Sequence, residues 1–229
     1  MPKITRESVS ANIAGIRQTI AEASSAAEFG NEPLLVAVSK TVGIEEVAFA
    51  IEEGIHDFGE NRTDELVRKH AAYPEENWHF IGRIQTNKLK DVVGRACLIH
   101  SVASIHALDE IEKRASRLGI VQPILLEVNV SGEESKDGFA PAALPEAIAH
   151  CGHLESVEVR GLMTMAPLGD ASVARATFHG LRCLRDELRA RCTSENVKLD
   201  ELSMGMSQDF PQAIAEGATI IRLGRSVFS

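Results

Sequence analysis

Short apolar runs alternate with amphipathic stretches along most of the chain. The run LLVAVS (34–39) is too short for a buried helix and lies between turn-forming residues, which predicts a strand buried on both faces. Similar runs recur toward the end of the chain. The predicted strands cover residues 34–39, 56–60, 78–82, 97–102, 123–130, 157–165, 201–206 and 219–224.

Helical patterns separate these strands. An amphipathic helix, about residues 6–28, precedes the first strand, and residues 105–119 form a helix that Ser104 introduces and Gly119 closes. Strands joined by crossover helices pair in parallel with right-handed connections, and eight such units close into a barrel. We therefore predict an α/β fold, a (β/α)8 TIM-type barrel with an extra N-terminal helix, as one domain over residues 1–229. A doubly wound sheet is the alternative, but its GxGxxG and P-loop signatures are absent.

Charge and composition restrict the function. The net charge of -9 excludes nucleic acid and anionic membranes as main partners, because both need a basic surface. No stretch of 18 apolar residues and no signal-peptide pattern occurs, so we expect a cytoplasmic protein with reduced cysteines. The cluster of His150, Cys151 and His153 is interpreted as a helix end near Gly152, and no metal site is predicted.

The predicted strand ends carry polar residues, and in a barrel of this kind chemistry takes place at those ends. Lys40 follows the first strand, where its amine could attack a carbonyl and form a Schiff base. Gly224 and the backbone amides of Arg225 and Ser226 follow the last strand, at the usual phosphate position of such barrels. The stretch SMGMSQDF (203–210) adds two serine hydroxyls, those of Ser203 and Ser207.

These features together resemble the pyridoxal phosphate homeostasis protein family, single-domain relatives of the amino-terminal barrel of alanine racemase. The resemblance runs in order from about residue 34 to 228. Its motifs are AVSKT, HDFGEN, WHFIGRIQTNK, HSV, VNVSGEESKDGF, RGLMTMAP, LSMGMSQDFPQAIAEGAT and IRLGRSVF.

The resemblance implies the cofactor and its contacts. Pyridoxal 5′-phosphate (PLP) would form an internal aldimine with Lys40, Arg222 would face the pyridine nitrogen, and Asn61 would lie at the ring side of the pocket. The residues implied to hold the phosphate are Ser203, Gly224 and Arg225. Two positions depart from the family pattern: residues 41–43 replace a turn that often contains proline, and Arg225 replaces a common threonine.

The resemblance also implies a role in PLP homeostasis, as a carrier or buffer without catalytic residues of its own. A guanidinium at position 222 cannot leave a proton on the ring, so the ring would be a weak electron sink. A racemase would need a second base, which two-domain relatives supply from an additional domain. This sequence ends at Ser229 and has one tyrosine, Tyr73, so we expect no such base. The expected partners are PLP and PLP-dependent apo-enzymes, and the expected state is a monomer.

Two other classes of function stay open. A PLP-dependent amino-acid racemase or decarboxylase would exchange or remove a substituent at the substrate Cα. A Schiff-base aldolase for a phosphorylated sugar would share Lys40 and the phosphate loop but would be colourless. Lys88 and Lys136 are further lysines near strand ends; Lys136 could form a transient second Schiff base during cofactor transfer, although a solvated charge is the simpler interpretation.

Overall fold

Eight parallel strands close into a barrel in chain order, as the sequence predicts. The computed structural model describes residues 4–133, 137–167 and 169–229, so Lys136 lies outside the described residues. The strands are β1 (Leu34–Val38), β2 (Asp57–Glu60), β3 (Asn77–Phe80), β4 (Leu98–Val102), β5 (Gln122–Glu127), β6 (Val157–Met163), β7 (Val197–Ser203) and β8 (Ile220–Leu223).

Helices surround the barrel on the outside. They are α1 (Arg6–Ala26), α2 (Ile44–Glu52), α3 (Thr63–Ala72), α4 (Ile105–Leu118), α5 (Leu144–Cys151), α6 (Ala171–Arg191), α7 (Phe210–Ala215) and α8 (Arg225–Phe228). The connection from β3 to β4 carries a 3-10 helix, Thr86–Asp91, in place of an α-helix, and a second 3-10 helix covers Pro141–Ala143. The (β/α)8 TIM-type barrel is thereby confirmed.

The pairing of β1 with β8 closes the barrel. Leu34 lies opposite Ile220 and Ala37 opposite Leu223, so the first and last strands end at the same level. Because the carboxyl ends of parallel strands share one end of a barrel, this register places Lys40 beside the loop after β8. The two parts of the sequence that predict a Schiff base and a phosphate site therefore meet.

The extra N-terminal helix is present as α1. Thr5 and Ser8 form a reciprocal capping box at its start, and its buried side chains recur at helical spacing. The amide of Asn12 donates to the carbonyls of Val227 and Ser229 at 3.2 and 2.9 Å. The helix packs against α2, α7 and α8.

Strand β7 begins four residues before the predicted boundary. Its first half, VKLD (197–200), exposes Lys198 and Asp200 to solvent, and these charges hide the strand pattern in the sequence. Since β7 ends at Ser203 and not at Met206, Ser203 is still inside the barrel wall, and the following residues form the loop at the carboxyl end.

Two helix ends test the predicted caps. The Ser104 hydroxyl accepts from the Ala107 amide at 3.2 Å, and Gly119 adopts the left-handed conformation with φ of 65°, as expected. Helix α5 does end before Gly152, but that glycine keeps a right-handed φ of -59°. His150 contacts Asp109 at 2.7 Å. Across the described ranges, no group of three histidine, cysteine or acidic residues could hold a metal ion, and no helix there is long and apolar enough to cross a membrane.

Candidate functional site

A cavity of about 380 Å³ opens at the carboxyl end of the barrel. Its walls combine cationic groups, hydroxyl and amide groups, and methionines. The lining residues are Val38, Lys40, Asn61, Ile81, Gly82, Arg83, Met163, Met165, Met206, Ser207, Gln208, Arg222, Gly224 and Arg225. Concave sites of this kind, with a few convergent polar groups, are the usual places for small ligands.

Lys40 lies at the mouth of this cavity. It is the second residue after β1, in a turn that the Val42 amide closes by donating to the Ser39 carbonyl at 3.0 Å. Its side chain is exposed, so the amine is accessible to a carbonyl compound entering from solvent. The unusual residues 41–43 are accommodated at the start of α2, where the Glu46 carboxylate accepts from the Gly43 amide at 2.8 Å.

A second, fully buried lysine supports this turn, and the sequence analysis missed it. Lys69 on α3 donates from Nζ to Glu60 Oε1 at 2.5 Å and to the Ser39 carbonyl at 2.7 Å. The Ser39 hydroxyl donates to the same carboxylate oxygen at 2.6 Å. In the sequence, Lys69 belongs to the polar stretch TDELVRKH and looks like a surface residue. The one signal was Glu60, a carboxylate at the end of a buried strand, which requires a partner.

Arg222 forms the floor of the cavity. Its Nη1 donates to Ser203 Oγ at 2.6 Å and its Nη2 donates to the Thr164 carbonyl at 3.1 Å. Burial lowers the pKa of Arg222 to about 10, while nearby Glu127 and Asp209 oppose that shift. The guanidinium is therefore still charged at neutral pH, and it can donate hydrogen bonds but cannot accept them.

The two candidate serines occupy different places. Ser203 is fully buried beneath Arg222 and does not line the cavity. Ser207 lies on the cavity wall, and its Oγ accepts from the Ser226 amide at 3.3 Å. The geometry thus brings Ser207, and not Ser203, to the loop after β8.

The loop after β8 approaches β1 closely. A Cβ atom at Gly224 would lie 3.2 Å from the Val38 carbonyl oxygen, so a side chain would crowd the strand that leads to Lys40. Helix α8 begins at the next residue, Arg225, whose side chain is exposed at the cavity edge. The bulky cation that replaces the common threonine adds positive charge to this edge of the cavity.

Asn61 follows β2, the strand next to β1, and also lines the cavity. Its backbone passes so close to Gly82 that a Cβ atom there would overlap the Asn61 carbonyl. Glu127, at the end of β5, is buried in the neighbouring cavity with Arg83 and Asp137. Burial, aided by the Asp137 charge, raises the pKa of Glu127 to about 6.

Five of the six site residues predicted from the sequence come together at this cavity: Lys40, Asn61, Arg222, Gly224 and Arg225. Ser203 reaches it only through Arg222. Tyr73 caps the end of α3 and donates to the Ile44 carbonyl at 3.2 Å, away from the cavity lining. Lys88 lines a neighbouring cavity, which shares Asn61 and Arg83 with this one.

The fold is that of the class of alanine racemase N-terminal domains, and Lys40 after β1 and Arg222 on β8 both line its cavity. The sequence model of that family, "Alanine racemase, N-terminal domain", matches residues 6–229. A pyridoxal phosphate homeostasis protein from Aquifex aeolicus is 46% identical over 197 residues, 85% of each chain. One from Pseudomonas aeruginosa is 39% identical over 227 residues, 96% of this chain and 94% of the relative. The chain belongs to the pyridoxal phosphate homeostasis protein family, as its motifs predicted.

Solved structures agree with this assignment. PipY from Synechococcus elongatus PCC7942, solved with PLP bound, superposes with a TM-score of 0.84 at 33% identity and covers 96% of this chain and 100% of its own. Alanine racemase from Clostridium difficile 630 superposes with a TM-score of 0.77 at 14% identity, over 98% of this chain and 60% of the racemase. The likeness to the racemase is one of fold alone.

Proposed function

We propose that this chain binds PLP through a Schiff base with Lys40 and acts in PLP homeostasis as a carrier or buffer of the cofactor. The observation that carries the proposal is that one cavity wall presents an accessible amine, a buried guanidinium and the loop at Gly224. PLP has three matching groups, an aldehyde, a pyridine nitrogen and a phosphate. The PLP complex of PipY, a relative of the same length and fold, supports the same choice of ligand.

The donor set fits each end of the cofactor. When bound, PLP supplies an aldehyde that condenses with amines and a ring that withdraws electrons. Lys40 would hold the aldehyde carbon, Arg222 would donate toward the ring nitrogen, and Asn61 would flank the ring. The phosphate would be held at Gly224 and Arg225, with the Ser207 hydroxyl as the serine donor in place of Ser203, because Ser207 is the one that lines the cavity.

The cavity chemistry supports binding without turnover. Among the described residues that line it, there is no histidine, tyrosine, cysteine or carboxylate to serve as a second acid or base. Arg222 stays charged at neutral pH, since its pKa is about 10, and holds its protons. A racemase or decarboxylase is the alternative: a racemase would exchange the Cα hydrogen of an amino acid with deuterated solvent, and a decarboxylase would release carbon dioxide. The carrier would do neither.

The test of cofactor binding is a visible absorption spectrum of the protein, incubated with PLP and then separated from unbound PLP by gel filtration, before and after borohydride reduction. We expect an absorption band that reduction removes, with the pyridoxyl mass on the peptide that contains Lys40. Lys40→Ala should lose both signals, and Lys88→Ala, which removes a lysine that does not line the Lys40 cavity, should keep them. A colourless protein after incubation with PLP and gel filtration would refute the proposal and favour a sugar-phosphate aldolase.

The carrier role needs a second measurement. Protein loaded with PLP should activate a PLP-dependent apo-enzyme, and the rate should exceed that of the same free PLP concentration if delivery needs contact. Light scattering would test the expected monomer and single folded unit. Because Lys136 lies outside the described residues, its part in transfer stays a prediction, which an unchanged transfer rate for Lys136→Ala would contradict.

A further inference from the structure

A row of buried polar side chains runs through the barrel interior from Arg222 to the opposite end. Arg222 Nη1 lies 2.6 Å from Ser203 Oγ, and His100 Nδ1 lies 2.8 Å from the same oxygen. His100 Nε2 then lies 3.0 Å from His79 Nδ1. His79 Nε2 lies 3.0 Å from Asp57 Oδ1, at the first residue of β2. Four consecutive contacts therefore connect the cavity floor with the other end of the barrel.

The polar groups of this row are buried, so their hydrogen bonds must be made within the protein. Ser203 and His100 have no exposed surface, His79 is 3% exposed and Arg222 is 5% exposed. The neighbouring interior positions are apolar: Val36, Leu98, Leu125, Met163 and Ile220 form one buried cluster. A polar group in such surroundings must find its hydrogen bonds within the protein, since an unpaired one is costly.

The direction of donation follows from the two ends. A guanidinium only donates, so Arg222 gives a hydrogen to the Ser203 oxygen. A carboxylate only accepts, so Asp57 takes its hydrogen from His79 Nε2. A neutral His79 must then accept at Nδ1 from His100 Nε2. The same logic leaves His100 Nδ1 as an acceptor for the hydroxyl hydrogen of Ser203.

The neutral state of His100 fits this order. Burial, together with the nearby His79 and Arg222, keeps the pKa of His100 well below its usual value. If His79 is neutral as well, with both rings protonated at Nε2, every contact has one donor and one acceptor. All the bonds point from the positive end at Arg222 to the negative end at Asp57, an arrangement in which each bond polarises the next.

We propose that this directional chain fixes the orientation of the Arg222 guanidinium at the cavity floor, so that Asp57 is a positioning residue for the cofactor site from the far end of the barrel. The inference rests on the proposed function, because the site that Arg222 serves is the PLP site. Nη1 is held by Ser203 and Nη2 by the Thr164 carbonyl, which fixes the plane of the guanidinium. Without the hydrogen bond to His100, the Ser203 side chain could turn its oxygen away from Arg222. Arg222 would then lose a fixed acceptor.

The first test needs no cofactor. Nitrogen-15 spectra of the imidazole rings in the protein without PLP, at neutral pH, should show both His79 and His100 protonated at Nε2 and unprotonated at Nδ1. A ring protonated at Nδ1, or doubly protonated, would overturn the proposal, because the hydrogen bonds would then no longer all run from Arg222 to Asp57. This result is independent of whether the protein binds PLP.

The second test uses two substitutions of Asp57, whose side chain lies far from the cavity lining. Asp57→Asn keeps an accepting oxygen, so the ring protonation pattern should persist and the PLP dissociation constant should stay within about twofold. Asp57→Ala removes the acceptor, so in a fraction of the molecules the His79 ring should carry its proton on Nδ1 instead of Nε2. PLP should bind about threefold more weakly. If Asp57→Ala changes neither signal, or Asp57→Asn changes both as strongly, the proposal fails.

A third variant tests the link nearest to the cavity. Ser203→Ala should weaken PLP binding about tenfold, since it removes the partner of a charged donor, and Ser203→Thr should restore most of the affinity because it keeps the hydroxyl. Equal loss in both variants would indicate a packing effect and overturn the positioning role. If the parent protein itself binds no PLP, the proposed function fails. The ring spectra still decide whether the directional chain of hydrogen bonds exists.

Discussion

Lys69 Nζ donates at 2.7 Å to the main-chain carbonyl of Ser39, the residue directly before Lys40. A buried cation therefore holds the backbone turn that presents the exposed amine. The Glu60 carboxylate balances the charge of Lys69 inside the protein. The position of the candidate Schiff-base lysine thus depends on a second lysine that does not line the cavity.

This network predicts a large effect for Lys69→Met. The substitution leaves the Glu60 carboxylate buried without its cation, so we expect the free energy of unfolding to fall by about 3–5 kcal/mol in urea titrations. The exposed Lys90→Met should change it by no more than about 0.5 kcal/mol. The double variant with Glu60→Gln should recover part of the loss. A Lys69→Met protein as stable as the parent would show that the ion pair is not required.

Gly82→Ala should disturb both the fold and the cavity. The added methyl group would overlap the Asn61 carbonyl, and backbone cannot give way as a flexible side chain does. We expect a loss of about 3 kcal/mol in the free energy of unfolding, with weaker PLP binding because Asn61 moves. Gly15→Ala in α1, where no atom lies within 4 Å of the new Cβ, should stabilise the protein by about 0.5–1 kcal/mol. Equal stability of the two variants would contradict this prediction.

The raised pKa of Glu127 predicts a pH dependence of stability. Its value of about 6 in the folded protein lies above the ordinary 4.5, so the folded state binds more protons between these values and stability falls as pH rises from about 4.5 to 6. The difference between a pKa of about 6 and the ordinary 4.5 corresponds to about 2 kcal/mol, present as a cost above pH 6. Glu127→Gln removes that cost.

Urea titrations at about pH 4 and pH 7 measure this effect. Relative to the parent, Glu127→Gln should gain about 2 kcal/mol in the free energy of unfolding between the two pH values. The exposed Glu45→Gln serves as the control and should show little change in its difference from the parent. A constant difference between parent and Glu127→Gln would show that burial does not raise the pKa.

Ser207→Ala tests the proposed phosphate contact. Loss of one hydroxyl donor to a charged group should weaken PLP binding about tenfold, while pyridoxal, which lacks the phosphate, should bind as it does to the parent. Ser226→Ala is the matched control, because Ser226 contributes a backbone amide at this loop and that amide remains. Titration of both ligands by absorbance checks the prediction. An equal loss of affinity for PLP and pyridoxal would place Ser207 away from the phosphate.

The barrel, the place of Lys40 and the loop at Gly224 could be predicted from the sequence alone. These depend on local hydrophobic patterns and on the order of elements, and parallel strands joined by crossovers leave few ways to close a sheet. The register between β1 and β8 then follows from barrel closure, which brings Lys40 beside the loop at Gly224.

Only the tertiary structure decided which polar side chains lie inside. Ser203 and His100 are 103 residues apart in the chain, and Lys69 reaches Ser39 across 30 residues. No local pattern distinguishes a buried lysine in a polar helix from a solvated one. The same holds for a histidine on a strand, because an error of one residue in the predicted alternation moves its side chain from the barrel interior to the outside. Burial of such groups is settled by partners that arrive from distant strands, since each polar group can stay inside only where another satisfies its hydrogen bonds.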